Sequence, residues 1–169
     1  LALSSYQTAI EVDPNYFDAY IHMGMLSENL DNYDAVNYYN SAIEIEPNNI
    51  EGYRNKGLFY HFRSEYINAR KSFKKIINID SNFEETYFNI GNTYLGQYDQ
   101  INNNDFLDSA FFYFKKANDL NQYYVQAIHN IGLCYEIKKD FEMAKSYYKK
   151  AIEIDNNYNP SLNALNALY

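Results

Sequence analysis

Four columns of similar residues run down this sequence at one shared, irregular spacing, and that coincidence limits the fold more than any other feature. Small residues stand at Ala2, Ala35, Ala69, Ala110 and Ala144, in steps of 33, 34, 41 and 34. An aromatic four places later keeps the same steps, at Tyr6, Tyr39, Phe73, Phe114 and Tyr148. A third column is Ala9, Ala42, Ile76, Ala117 and Ala151, and Gly24, Gly57, Gly91 and Gly132 repeat the steps of 33, 34 and 41. The underlying period is 34, with one residue deleted once and seven inserted once. A fixed period of this length marks a repeat array, in which a unit hides its apolar face only against its neighbours.

Each unit reads as two amphipathic helices. First helices are expected over Phe17–Leu30, Ile50–Arg63, Glu84–Gln97 and Val125–Lys138, and second helices over Tyr33–Ile45, Tyr66–Ile79, Leu107–Leu120 and Phe141–Ile154. In the last first helix, Ile128, Ile131 and Tyr135 stand at i, i+3 and i+7, a helical stripe. The repeats are then 17–47, 50–81, 84–122 and 125–156 within one solenoid over 1–169. A second half-repeat fills 1–14, and a first helix of a further repeat or cap fills 159–169. These half units, and a start on Leu1 rather than Met, lead us to expect an excerpt of a longer array.

The columns have a physical reading. Gly on the first helix and Ala on the second remove bulk where the pair crosses, and the aromatic four places after the Ala is expected to fill the gap toward the next unit. Pro14 and Pro47 sit where second helices must stop. Ser81, Gln122 and Asn156 replace them elsewhere, so softer ends are expected there. The seven extra residues fall in Gly96–Asp105, expected as an inserted turn between the helices of one unit, with Asp105 capping the helix that follows. Such a turn is either slack, because lengthening a surface loop costs little, or an edge that touches a partner.

Composition closes off several classes of function. No stretch approaches 18 consecutive apolar residues, so no membrane span is expected. One cysteine, Cys134, permits neither an internal disulfide framework nor a Cys-based zinc cluster, and its small-residue place suggests a packed, inert thiol. His22, His61 and His129 lie on different helices with no i, i+4 pair, so no metal is expected and each reads as a polar groove residue. No phosphate-cradling or hydrolase motif is present, so neither cofactor nor catalysis is expected. The 20 Tyr and 11 Phe, without Trp, suit a thin core in which many hydroxyls find water or a partner.

Charge is uneven. Residues 1–53 carry nine acids and no Lys or Arg, whereas residues 54–169 carry 13 acids and 14 bases. That acidic end disfavours nucleic acid, and is either a solvated face or an attraction for a basic partner. The pairs Lys74–Lys75, Lys115–Lys116 and Lys149–Lys150 lie near the ends of second helices, where the helix dipole accounts for them, or else they form a basic ridge.

The repeat resembles the tetratricopeptide repeat (TPR) family, whose pattern is W-x2-L-G-x2-Y, then A-x3-F, A and P. It reads here as Ile128, Ile131, Gly132 and Tyr135, then Ala144, Tyr148, Ala151 and Asn156; Tyr20, Tyr53 and Tyr87 take the Trp place. Lys56 at the Leu place and Ser27 at the Tyr place depart from it. The resemblance covers the whole chain and implies an all-α, right-handed superhelical solenoid of antiparallel helix pairs, whose first helices line a concave groove for an extended peptide or a partner helix. We expect an intracellular, cytoplasmic protein.

Family geometry also implies which side chains face the groove. One column is His22, Asn55, Asn89 and Asn130, with Asn92 nearby; three stacked Asn resemble a backbone-clamping ladder, or are ordinary polar filler. Leu58 and Phe62, Phe88 and Leu95, and Leu133 and Ile137 form an apolar series that is either a docking patch or is covered by the solenoid's own curvature. Arg54 and His129 complete the implied peptide-binding set. Asp18, Glu51, Glu85, Glu28 and Glu136 edge the groove, so a basic ligand with an apolar anchor fits better than an acidic tail. The family's carboxylate clamp is absent: Arg54 pairs with Leu58 rather than Asn, and Glu85 or Gln126 stands where Lys belongs. We therefore expect a protein-interaction scaffold. The alternatives are a substrate-presenting region of a larger enzyme, such as a glycosyltransferase, and a self-associating structural subunit.

Overall fold

The computed structural model describes residues 2–30 and 32–169, with side chains from Ser4 onward. Leu1, the side chain of Ala2 in the small-residue column, and Asp31 lie outside the described residues. Among the described residues there are ten helices and no strand: α1 (Ala2–Val12), α2 (Phe17–Asn29), α3 (Ala35–Ile45), α4 (Ile50–Phe62), α5 (Tyr66–Ile79), α6 (Glu84–Ile101), α7 (Asn104–Leu120), α8 (Val125–Ile137), α9 (Phe141–Ile154) and α10 (Asn159–Ala167). They form two compact units, Leu1–Ser81 and Asn82–Tyr169. Within each unit a helix packs on the next in sequence through a short turn, so neighbours run antiparallel, and in unit 1 the first helices α2 and α4 also meet.

The columns explain the pairing. Ala35, Ala69, Ala110 and Ala144 are fully buried, as are Tyr39, Phe73, Phe114 and Tyr148. Each ring lies on the glycine of its own hairpin. A Cβ built on Gly24 would stand 2.3 Å from Tyr39, on Gly57 2.4 Å from Phe73, on Gly91 2.5 Å from Phe114, and on Gly132 2.7 Å from Tyr148. The glycine is thus a seat for the aromatic ring of its own pair, and two of the rings also join the next unit, Tyr39 sharing a buried cluster with Phe59 and Phe114 with Ile131 and Cys134.

Second helices end alike whether or not proline follows. The N–H groups of Glu46, Asp80, Asn121 and Asp155 donate to the carbonyls of Ala42, Ile76, Ala117 and Ala151 at 2.9, 2.7, 3.0 and 3.0 Å. The ends at Ser81, Gln122 and Asn156 are therefore no softer than those at Pro14 and Pro47. At Asn121 and Asp155 the side-chain oxygen accepts from the N–H two residues on, a turn that stops the helix without proline. The turns inside two repeats pass through left-handed residues, Ser64 at φ 61° and Lys139 at φ 63°.

The inserted segment is not a projecting turn. α6 continues to Ile101 and is 18 residues long, against 13 for α2, α4 and α8, while α7 has 17 residues against 14 for α5 and α9. The insertion is absorbed as added helix around a short reversal at Asn102 and Asn103, where Asn102 is left-handed. Asn103, not Asp105, caps α7, its side chain accepting from the Asp105 N–H. Helix satisfies the backbone of the added residues, which a loop would leave to water.

Candidate functional site

In unit 1 the first helices present a common face. A depression is lined by Met25, Glu28 and Asn29 of α2 and by Asn55, Leu58 and Phe62 of α4. A second, lined by Glu28, Asn29, Phe59, Phe62 and Arg63, adjoins it. Phe62 stands between them with 74% of its surface exposed, and Met25 with 46%. Asn55, Leu58 and Phe62 are thus brought together as the repeat geometry implied. Met25 and Asn29 were missed by the sequence reading, although they occupy groove places of α2.

The remaining unit 1 candidates are placed differently. His22 is exposed; its Nδ1 lies 2.7 Å from the Asp18 carbonyl and its ring stacks on Tyr6 at 4.8 Å. Arg54 is half-buried on α4. Lys56, at the position where the pattern has Leu, turns to α3 and donates from Nζ to Asn40 Oδ1 at 2.6 Å, burial lowering its pKa. His61 is held below the usual histidine range by burial, and its Nδ1 has no partner.

In unit 2 most candidates face inward. Phe88 rests against Phe114 at 5.8 Å and Tyr124 at 5.1 Å. It packs, with Leu95 and Ile137, onto the core built from Leu107, Ala110, Phe114, Ile131 and Cys134. These three are half-buried against that core, and Leu133 is half-buried as well. His129 is not a groove residue: its Nδ1 lies 3.0 Å from the Ser161 hydroxyl, and its ring lies between Tyr148 at 5.2 Å and Tyr158 at 5.6 Å. Burial lowers its pKa despite the opposing pull of Glu136. Cys134 is fully buried, and burial pushes its thiol up to about 12, which makes it a packing residue.

The amide nitrogens of the Asn column are buried or engaged within the protein. Asn55 Nδ2 is buried without a partner, Asn89 Nδ2 lies 3.4 Å from Glu85 Oε1, and Asn130 Nδ2 donates to Asn92 Oδ1 at 3.0 Å. The Asn130–Asn92 bond ties α8 to α6. Each of these amides is thus buried or engaged within the protein, which leaves less than the two-way clamp that three free amides would make.

Two of the acids assigned to the groove edge have another task. The buried Tyr39 hydroxyl donates to Glu28 Oε2 at 3.0 Å, and that of Tyr148 to Glu136 Oε2 at 2.6 Å. Burial first, then the neighbouring carboxylate, raises both phenol pKa values well above the ordinary range. Where the ring is Phe73 or Phe114, the matching first-helix position is His61 or Leu95. A hydroxyl sealed in the pair needs an acceptor, and a Phe does not. The Lys pairs are also misread as dipole partners, since α5, α7 and α9 carry no base in their last turns, where that field acts.

A fold of helix pairs with a ring seated on the glycine of each repeating column defines the class, and comparison with known proteins agrees. Residues 17–49 and 125–158 match the tetratricopeptide repeat family model. Those two stretches are tetratricopeptide repeats. The chain is 30% identical over 93 residues to anaphase-promoting complex subunit 3 of Schizosaccharomyces pombe, a stretch that is 54% of this chain but only 13% of that protein. MamA from Desulfovibrio magneticus RS-1 superposes with a TM-score of 0.75 at 19% identity, over 92% of this chain and 85% of that one. The first TPR of Spaghetti (RPAP3), bound to the HSP90 peptide SRMEEVD, has a TM-score of 0.62 at 20% identity, over 70% of this chain and 89% of its own. Among the described residues no helix is long and apolar enough to cross a membrane.

Proposed function

We propose that the chain is a protein-interaction scaffold that holds a peptide or a partner's helix on the face made by its first helices. The observation that carries this reading is Phe62, an aromatic 74% exposed between two adjoining depressions. Covering it removes about 1–2 kcal/mol of hydration cost, and nothing in its own repeat does so. A structural neighbour bound to a peptide, and a relative named as a subunit of a complex, support the same reading. The backbone oxygens and amides of a peptide would meet Asn55 and Asn29, while an apolar side chain would meet Met25, Leu58 and Phe62.

Selection of a random peptide library on the chain, repeated on Phe62→Asp, tests the proposal. Enriched peptides whose binding is lost in the variant are expected. Peptides that bind the variant undiminished, or no enrichment, would refute it. Sedimentation of the chain alone separates this from self-association, because a scaffold for another protein stays monomeric as concentration rises.

A further inference from the structure

Resting on that reading, the composition of the unit 1 face identifies the chemistry of its partner. α2 and α3 contain no Lys or Arg, within a stretch of nine acids and no such base over residues 1–53. The first cations that follow are held by neighbours, and of these Arg63 also lines the second hollow. Lys56 is bound to Asn40, and the Arg63 guanidinium lies over the rings of Tyr33 at 5.2 Å and Phe59 at 4.7 Å. Arg54 makes a contact of its own.

The depression therefore offers apolar surface and acceptors. Glu28 lines both hollows beside Phe62. Only its Oε2 receives the Tyr39 hydroxyl, and a carboxylate has about four acceptor directions, so capacity remains. An anionic segment placed between α2 and α4 would meet Glu28 and no Lys or Arg among the residues that line the depression. A cationic one meets its counter-charge beside an apolar seat.

We propose that this depression takes a Lys- or Arg-bearing segment of a partner protein, its apolar side chain against Met25, Leu58 and Phe62 and its cation on Glu28. The site thus differs in charge preference from the neighbour that holds the acidic peptide SRMEEVD.

The test uses two labelled peptides, Lys-Lys-Leu-Phe-Lys-Lys and Glu-Glu-Leu-Phe-Glu-Glu, titrated by fluorescence anisotropy against the chain, Glu28→Gln and Phe62→Asp. Gln keeps an oxygen for the Tyr39 hydroxyl, so the fold is retained. The cationic peptide is expected to bind, to weaken about five-fold in Glu28→Gln and further with added salt, and to be lost in Phe62→Asp. An anionic peptide that binds as tightly and also needs Phe62 would overturn the charge assignment while leaving the scaffold reading intact. Binding indifferent to Glu28→Gln, or no binding of either peptide, would overturn it too. The library selection decides the wider reading independently.

Discussion

Gly57→Ala puts the ring-on-glycine seat to a quantitative test. On an open helix surface this change stabilises, since Ala is favoured over Gly by about 0.8–1.0 kcal/mol in a helix interior. Here the new Cβ would lie 2.4, 2.7 and 2.8 Å from three atoms of the Phe73 ring. Phe73 is completely buried, so its ring has no free space into which to swing. Forcing a methyl into such packing costs about 1–3 kcal/mol. The net expectation is a loss of about 0–2 kcal/mol, when propensity alone predicts a gain of about 1. Urea denaturation followed by far-UV circular dichroism measures the difference. Phe73→Leu sharpens the test: its smaller side chain clears the methyl, so the two changes together should cost less than their sum by about 0.5–2 kcal/mol. If Gly57→Ala raised stability by its full propensity value and the pair were additive, the seat would not be the close contact that defines the repeat.

Four further outcomes are expected. Tyr148→Phe should cost about 1–2 kcal/mol because it strands Glu136 beside a sealed ring; adding Glu136→Leu, the pairing found at Phe114 and Leu95, should recover most of it in thermal melts. Burial raises the phenol pKa values of Tyr39, Tyr124 and Tyr148 above the ordinary 10.0. The folded state then holds protons that the unfolded state releases, so their contribution is full below pH 10 and is lost progressively above it, as an alkaline stability titration would record. Ser64→Gly and Lys139→Gly, at left-handed positions, should each raise stability by about 0.5–1 kcal/mol in the same denaturation assay. Phe88→Asp should lower helicity by circular dichroism, since that ring is packed between Phe114 and Tyr124, whereas Phe62→Asp should leave helicity unchanged.

Much of the fold was legible because the columns are the packing contacts themselves. Gly24 and Tyr39, or Gly91 and Phe114, recur at one spacing because one seats the other. What the spacing could not tell was that the ring, besides joining the next unit's core, sits on the glycine of its own pair. The insertion was misjudged from its Asn and Asp content: Asn102 and Asn103 do make the reversal, but Gly-Gln-Tyr-Asp-Gln-Ile runs on as helix because Tyr98 can still pack on the core.

The site was less legible. A groove position fixes where a Cβ lies, not what the side chain then does. His129 finds Ser161, Asn130 finds Asn92 and Glu28 finds Tyr39, partners 32, 38 and 11 residues away along the chain. Only the Tyr–Glu pairing left a trace, since the acid is present where the ring is Tyr and absent where it is Phe. Phe62 was anticipated because it stands at a groove-facing place of its first helix.

The face itself is best tested by where a bound peptide lies. A library-selected peptide carrying a nitroxide label, added to isotopically labelled protein, broadens the resonances of residues close to it. Broadening of Met25, Asn29, Leu58 and Phe62, with Ile67, Lys71 and Lys74 on the exposed side of α5 left sharp, is the predicted pattern. Broadening centred on those α5 residues, with Met25 and Phe62 untouched, would contradict the assignment of binding to the first helices.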